Sequence, residues 1–402
     1  MKRVGPGLMV MAAFIGPGTV ITASRAGAQY GFALMWALVF SVLATLVLQE
    51  MAARLGLVTG KGLSEALRTT FRNRFFSLLA IVLVILAIGF GNAAYESGNI
   101  AGASMALAAI TPISANLWAL VVGGVAFAFL ASGQYQVVER GLIVLVVIMS
   151  SVFIVTMVMV KPDVGGIFSA LIHPSLPAGS TLTVMALIGT TVVPYNLFLH
   201  SSSVREKWPA SVPIEDALQE SRRDSLLAIS LGGLVTLAIV TTAAAAFFGS
   251  DTGFSAATIS QQLEPLLGSG AKYFFAVGLL AAGLTSAITS PLAAAYAVAG
   301  VLGWKVDLAD RRFKAIWALV LGFGMLAAAL GTRPVSAIIF AQAANGFLLP
   351  IVAVYLLYVM NSSTLLGDYK NRWLSNIVGG LVVLVVSGLG IFKLLQVFGV
   401  AG

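Results

Sequence analysis

The 402-residue chain contains no cysteine and only two histidines, His173 and His200. The first absence excludes disulfides, thiolate metal sites and cysteine nucleophiles, and the second excludes a multi-histidine metal centre. Charge is scarce too. Asp, Glu, Lys and Arg make up 9% of the residues, whereas 59% are hydrophobic and the mean hydropathy is +0.99; soluble domains carry about a quarter charged residues. Such a chain is a polytopic integral membrane protein, and it has no stretch long and polar enough to fold as a soluble domain. The glycine pairs Gly232-Gly233 and Gly379-Gly380 lack the Gly-Lys-Ser/Thr sequence of a phosphate loop and read as close-packing positions in membrane helices. Ser201-Ser202-Ser203 has no supporting acid and base pattern for a nucleophile, so no enzyme activity is expected.

Apolar runs of about 20 residues, the length that spans a bilayer, divide the chain into eleven segments: 7–31, 33–52, 75–108, 115–132, 138–160, 181–204, 221–248, 271–302, 313–331, 335–360 and 374–398. The net charge of +8 is a topology signal and not a nucleic-acid footprint. With the N-terminus in the cytoplasm, 18 of the 23 basic residues fall on the inner side, leaving Arg25, Lys161, Lys272, Arg333 and Lys393. The expected protein is a multi-pass monomer of the cell membrane, N-terminus inside and C-terminus outside, forming one domain over residues 1–402 with lipid around it. Its first segment follows Lys2-Arg3 but lacks a small-residue cleavage site, so it reads as a true span. Glu139-Arg140 and Arg222-Arg223-Asp224 read as inner-surface charge clusters, and Pro213–Leu218 as the start of an amphipathic stretch at the inner surface.

Two of these segments are interrupted in the same way. Gly16-Pro17-Gly18-Thr19 breaks the first, and Val193-Pro194-Tyr195-Asn196 breaks the sixth. Proline lacks the amide hydrogen and excludes the preceding residue from helical geometry, and unwound backbone at membrane depth survives only where it lines a cavity. The freed carbonyls suit cations and the freed amides suit anions. Candidate substrate-binding residues are therefore Gly16, Thr19, Thr190, Thr191, Val193, Tyr195 and Asn196. Gln342 and Asn345, at i and i+3 in segment ten, either close the pocket from the opposite side or hydrogen-bond between helices. An odd number of spans per half inverts the second half against the first. The expected fold is thus all-α and LeuT-like, a 5+5 inverted repeat over about 4–160 and 181–360 with segment eleven, about 374–398, appended.

Ionisable residues at membrane depth are functional candidates because charge there is costly. Asn92, Glu96 and Asn99, at i, i+4 and i+7, share one helix face that is expected to line a cavity. Glu96 is either a proton site or a structural ion pair. Arg25 either pairs with Glu96 or lines the outer entrance, where it would favour an anion. His200 follows Tyr195 by five residues and either passes protons or hydrogen-bonds in a packed interior. Glu96, Asn99, His200 and Arg25 form the candidate coupling pathway.

Leu48-Gln49-Glu50-Met51-Ala52-Ala53-Arg54-Leu55-Gly56, Ala26-Gly27-Ala28-Gln29-Tyr30-Gly31 and Pro194-Tyr195-Asn196-Leu197-Phe198-Leu199-His200-Ser201 resemble signature stretches of the Nramp family of divalent-metal transporters, and the resemblance runs from about residue 4 to 360. It implies a LeuT-like fold and proton-linked metal uptake by alternating access. It also implies where the cargo ligands should stand, and most are missing. The family's Asp-Pro-Gly-Asn falls on Gly16-Pro17-Gly18-Thr19 and its Met-Pro-His on Val193-Pro194-Tyr195. Its paired Asp and Glu of segment three fall on Glu96 and Asn99, while His200 and Gln342 are retained. The carboxylate and the sulfur that favour transition metals are thus absent.

The expectation is a secondary active transporter without a cofactor, carrying a metal cation, with the proton as coupling ion. Asn99, Glu96, Thr19, Thr191, Tyr195 and Gln342 are an oxygen-rich set that suits a hard ion such as Mg²⁺. The alternatives are a proton- or ion-coupled transporter of a non-metal solute or small anion, and a transport-inactive sensor.

Overall fold

The computed structural model describes residues 5–70, 74–249, 268–331 and 349–397. Gln342 and Asn345 lie outside the described residues, and segment ten is described only from Leu349. The described residues contain helices and no strand.

Segment one is two half-helices, α1 (Pro6–Phe14) and α2 (Pro17–Tyr30). α3 (Met35–Thr59) ends at Gly60 in a left-handed conformation, and a short α4 (Leu63–Thr70) follows. α5 (Arg74–Val84) passes through a π-helical turn, Ile85–Phe90, into α6 (Gly91–Ala108). α7 (Ala115–Ala131) and α8 (Tyr135–Met159) complete the first half. Between the halves lies α9 (Val164–Ile172), whose N-cap Asp163 accepts the amide of Gly166. Segment six is again two pieces, α10 (Thr181–Thr191) and α11 (Pro194–Lys207). α12 (Ile214–Phe247), α13 (Ala271–Leu302), α14 (Arg311–Ala329), α15 (Leu349–Val359) and α16 (Trp373–Val397) follow. Each of the eleven expected segments has a helix. Pro213 is the N-cap of the 34-residue α12, with Glu215 and Asp216 in its first turn, where the helix dipole favours acids.

Two groups of helices meet at the two breaks. α12 packs along α1, α2 and α3, and α11 lies on α3; α13 packs along α6, α8 and α14, and α14 lies on α6 and α7. Small residues permit these contacts. A Cβ at Gly27 would collide with the Val240 carbonyl of α12, and one at Gly102 of α6 with the ring of Pro17. Where the groups touch, α1 and α11 rest on α13, and α1 and α12 rest on α8.

The end of the molecule that carries the N-terminus is tied by buried charge. Asp224 of α12 is not at the surface, as its charge cluster suggested; it is 5% exposed and accepts the amides of Gly5 at 3.0 Å and Gly7 at 2.6 Å. It thereby caps the start of α1. Lys207 at the end of α11 pairs with Glu139 of α8 at 3.0 Å, and Glu139 is also buried. At the opposite end, the loop before α10 is held by Tyr30, which donates to the Gly179 carbonyl, and by Trp36, which donates to that of Ser175.

Candidate transport site

The two breaks have nearly one backbone conformation. Ile15 closes α1 at φ −96°, ψ 78°, and Val192 closes α10 at φ −90°, ψ 79°. The amide of each reaches back four residues, to the carbonyls of Met11 and Ile188. Gly16 and Val193 then run extended, and Pro17 and Pro194 each open a 14-residue helix. Proline at the first helical position loses nothing there, because that amide has no partner inside its own helix. The loss falls on the carbonyl four residues earlier, which is Ala13 in the first break and Thr190 in the second.

Those carbonyls meet different fates. In the first break, the Tyr195 hydroxyl donates to Ala13 O at 2.9 Å, replacing the amide that Pro17 lacks. Ser286 Oγ donates to Ala12 O at 3.3 Å, and Thr19 Oγ1 donates to Phe14 O. With Ile15 N on Met11 O, every carbonyl of the last turn of α1 has a donor. Asn196 Nδ2 adds a bond to Val10 O. In the second break, Val192 N serves Ile188 O, and Thr191 O lies 3.3 Å from Thr45 Oγ1, a hydroxyl that is nearer the Ser41 carbonyl of its own helix, at 2.8 Å. The carbonyls of Gly189 and Thr190 accept no hydrogen bond from any described residue.

Between the breaks is a cavity of about 20 Å³, which is room for about one water. Of the expected residues, Gly16, Thr19, Thr190, Val193, Tyr195 and Asn99 line it. Thr191 and Asn196 do not: Thr191 Oγ1 donates to the Leu187 carbonyl in its own helix, and Asn196 reaches Val10. Tyr95 and Ser286 line it and were not anticipated. Tyr95 meets Tyr195 edge-on, with centroids 6.0 Å apart. The sequence signal for Ser286 was present, since Thr285, Ser286, Thr289 and Ser290 put four hydroxyls on one side of an apolar segment. Among the described residues no charged side chain lines the cavity, and no group of three acids or histidines could hold a metal ion. Any cation here would be held by neutral oxygens, those of Thr19, Asn99, Tyr195 and Thr190.

The candidate coupling residues lie elsewhere. Glu96 is fully buried but turns away from the cavity toward α14, where Gly324 makes room for its side chain. Asn99 Nδ2 donates to Glu96 Oε2 at 3.3 Å, and Oε1 has no partner among the described residues. Asn92 donates to the Ser290 carbonyl, so of the expected polar stripe only Asn99 lines the cavity. Arg25 does not pair with Glu96. It is exposed and donates to Gln29 Oε1 one turn along α2. His200 is fully buried between two other helices, with Nδ1 3.0 Å from Gln49 Oε1 of α3 and Nε2 3.5 Å from Ser225 Oγ of α12. Gln49 stands in the Leu48–Gly56 stretch that carries the family resemblance but was not singled out there, and Ser225 had no sequence signal pointing to it.

A family model described as natural resistance-associated macrophage protein-like, Nramp, matches residues 7–396. The chain belongs to the Nramp family. A divalent metal cation transporter MntH of Acidiphilium cryptum is 30% identical to it, covering 98% of this chain and 90% of the relative. That of Verminephrobacter eiseniae is 28% identical, covering 98% and 89%. Among solved structures, a manganese transporter of Eremococcus coleocola superposes with a TM-score of 0.76 at 21% identity, covering 98% of this Nramp chain and 87% of that one. Mhp1, a nucleobase-cation-symport-1 family transporter, superposes with a TM-score of 0.59 at 15% identity, covering 99% and 94%. The LeuT-like fold with its broken first and sixth helices is therefore the architecture of this Nramp protein.

Proposed function

We propose that this Nramp protein is a secondary active transporter of the cell membrane that moves a metal cation by alternating access, with selectivity shifted from transition metals toward a hard cation such as Mg²⁺. The observation that carries the reading is the second break: the Thr190 carbonyl has no donor among the described residues, and Thr190 lines a cavity whose polar side chains carry hydroxyls and an amide. Neutral oxygens without sulfur or carboxylate suit a hard ion that keeps part of its water. The MntH relatives, divalent metal cation transporters by name, support a cation as cargo. The N-terminus lies inside and the C-terminus outside, one chain suffices, and the protein neither needs a cofactor nor catalyses a reaction.

The first break favours a second reading, a non-metal solute. Its carbonyls already have donors, which leaves a neutral, hydrogen-bonding site of little cation affinity. Arg25 gives an anion no support, because it is exposed on α2 and held by Gln29. Uptake into liposomes separates the readings. Mg²⁺ influx above that of Mn²⁺, driven by an inward proton or sodium gradient, is expected; no influx of either ion overturns the cation reading.

A further inference from the structure

At the end of the molecule that carries the N-terminus, a cavity of about 650 Å³ opens between α3, the start of α12 and the chain that leads into α16. Unlike the site at the breaks, it is lined by charge. Arg54, Arg222, Lys370 and Arg372 stand against Glu50, Glu215 and Asp368. Two of the acids are engaged: Glu50 pairs with Arg54 through Oε2 and with Arg222 through Oε1, each at 3.0 Å, and Glu215 accepts the Tyr369 hydroxyl at 2.6 Å. The side chains of Lys370 and Arg372 have no partner among the described residues, and both are exposed.

These two bases do not sit on a loose strand. They flank Asn371, which is 6% exposed, gives its amide to the Met360 carbonyl at 2.8 Å and accepts Arg54 Nη2 at 2.7 Å. Arg54 Nη1 holds the Tyr369 carbonyl at 2.7 Å. The backbone that presents Lys370 and Arg372 is thus fixed before any ligand arrives, which lowers the ordering cost of binding. The apolar surface beside the cavity points to a lipid. Trp373, Leu374, Ile377, Leu381 and Leu384 are each more than half exposed, and their spacing of i, i+1, i+4, i+8 and i+11 draws one stripe down α16 from the rim of the cavity. Trp373–Phe392 is long and apolar enough to cross a membrane, so the stripe meets acyl chains, and Trp373 stands next to Arg372 as an aromatic ring does at headgroup level.

We propose that this cavity binds the headgroup of an anionic phospholipid of the phosphatidylglycerol class, with its phosphate held by Lys370 and Arg372 and its acyl chains laid along the α16 stripe. Basic pockets where helices leave the membrane are suited to anionic headgroups. The charges also match in number. Four bases against three acids leave the cavity one positive charge, and a phosphodiester carries one negative charge. The hydroxyls of a glycerol headgroup donate to Asp368 and Glu215, whereas the ammonium of a zwitterionic lipid would be repelled by Lys370 and Arg372. A lipid seated there fastens the ends of α3 and α12 to α16, and so restrains the helix group to which α3 and α12 belong.

The test uses the full chain in detergent. In native mass spectrometry with equal amounts of phosphatidylglycerol and phosphatidylethanolamine, the anionic lipid should be retained about tenfold over the zwitterionic one. Phosphatidylglycerol should also raise the thermal unfolding midpoint by about 2–5 °C. Lys370→Gln with Arg372→Gln should unfold at the lipid-free midpoint of the unmodified chain and lose both effects. The charge-keeping exchange Lys370→Arg with Arg372→Lys should retain them. So should Lys272→Gln, which removes an exposed base at the far end of α13. Equal retention of the two lipids overturns the proposal, as does a preference that survives in the double Gln variant or is lost to the same extent in Lys272→Gln. Inorganic phosphate that raises the midpoint as far as the lipid does would make the ligand a free anion and overturn the lipid.

Discussion

The two helix breaks share a backbone and differ in chemistry. Ile15 and Val192 agree within a few degrees in φ and ψ, yet the last turn of α1 is fully provided with donors while that of α10 leaves Gly189 and Thr190 without any from the described residues. They also differ in shape, since the chain axis turns by 59° between α1 and α2, whereas Thr181–Lys207 continues as one span. The comparison separates two roles. Proline makes the break, and partners far away in sequence decide whether the freed oxygen belongs to the protein or to its cargo. Tyr195, 182 residues from Ala13, is such a partner.

The contrast can be broken most forcefully through packing. Gly102→Leu would drive a side chain into Pro17 at the first break and should cost about 3 kcal/mol or more, read as loss of folded protein and of uptake; Gly189→Ala, with no described atom near its Cβ, should fold normally. Equal tolerance at both positions would mean that the breaks are packed alike. Next in size are the prolines. Pro194→Ala returns the amide that a continuous helix would offer the Thr190 carbonyl, which has no donor among the described residues, and should stabilise the protein by about 1–3 kcal/mol while abolishing uptake. Pro17→Ala should be close to neutral in stability, because Tyr195 already serves Ala13. Tyr195→Phe comes third: it strands the Ala13 carbonyl, should lower stability by about 1–3 kcal/mol, and should raise Mn²⁺ binding measured by calorimetry. Stability unchanged by that variant would show that the Tyr195 bond does not distinguish the breaks. Smallest is Thr45→Val, which removes a hydroxyl shared between Ser41 O at 2.8 Å and Thr191 O at 3.3 Å and should cost no more than about 1 kcal/mol by thermal unfolding.

Segment number, the breaks and the family were legible in the sequence because each depends on a local signal: a run of apolar residues, a proline, a short motif. Cavity membership was partly legible. Thr19, Thr190, Val193 and Tyr195 line the cavity because they sit at the breaks themselves. Residues one helical turn away were misread because rotation about the helix axis depends on neighbours. Asn99 meets the cavity while Glu96, three residues earlier, meets Gly324 of α14. For Arg25 the sequence left open a buried pair with Glu96 or a place at the outer entrance; α2 turns it outward to Gln29, which removes the pair. Asp224 looked like a surface charge because it follows two arginines. It is buried because the first amides of α1 need an acceptor, and nothing in their own sequence provides one.

The small volume between the breaks bears on electrical behaviour. A passage that narrows to the room of one water cannot conduct a file of hydrated ions. Current across a membrane containing this protein should therefore be carried one turnover at a time. With cargo absent on both sides, the membrane should be electrically quiet.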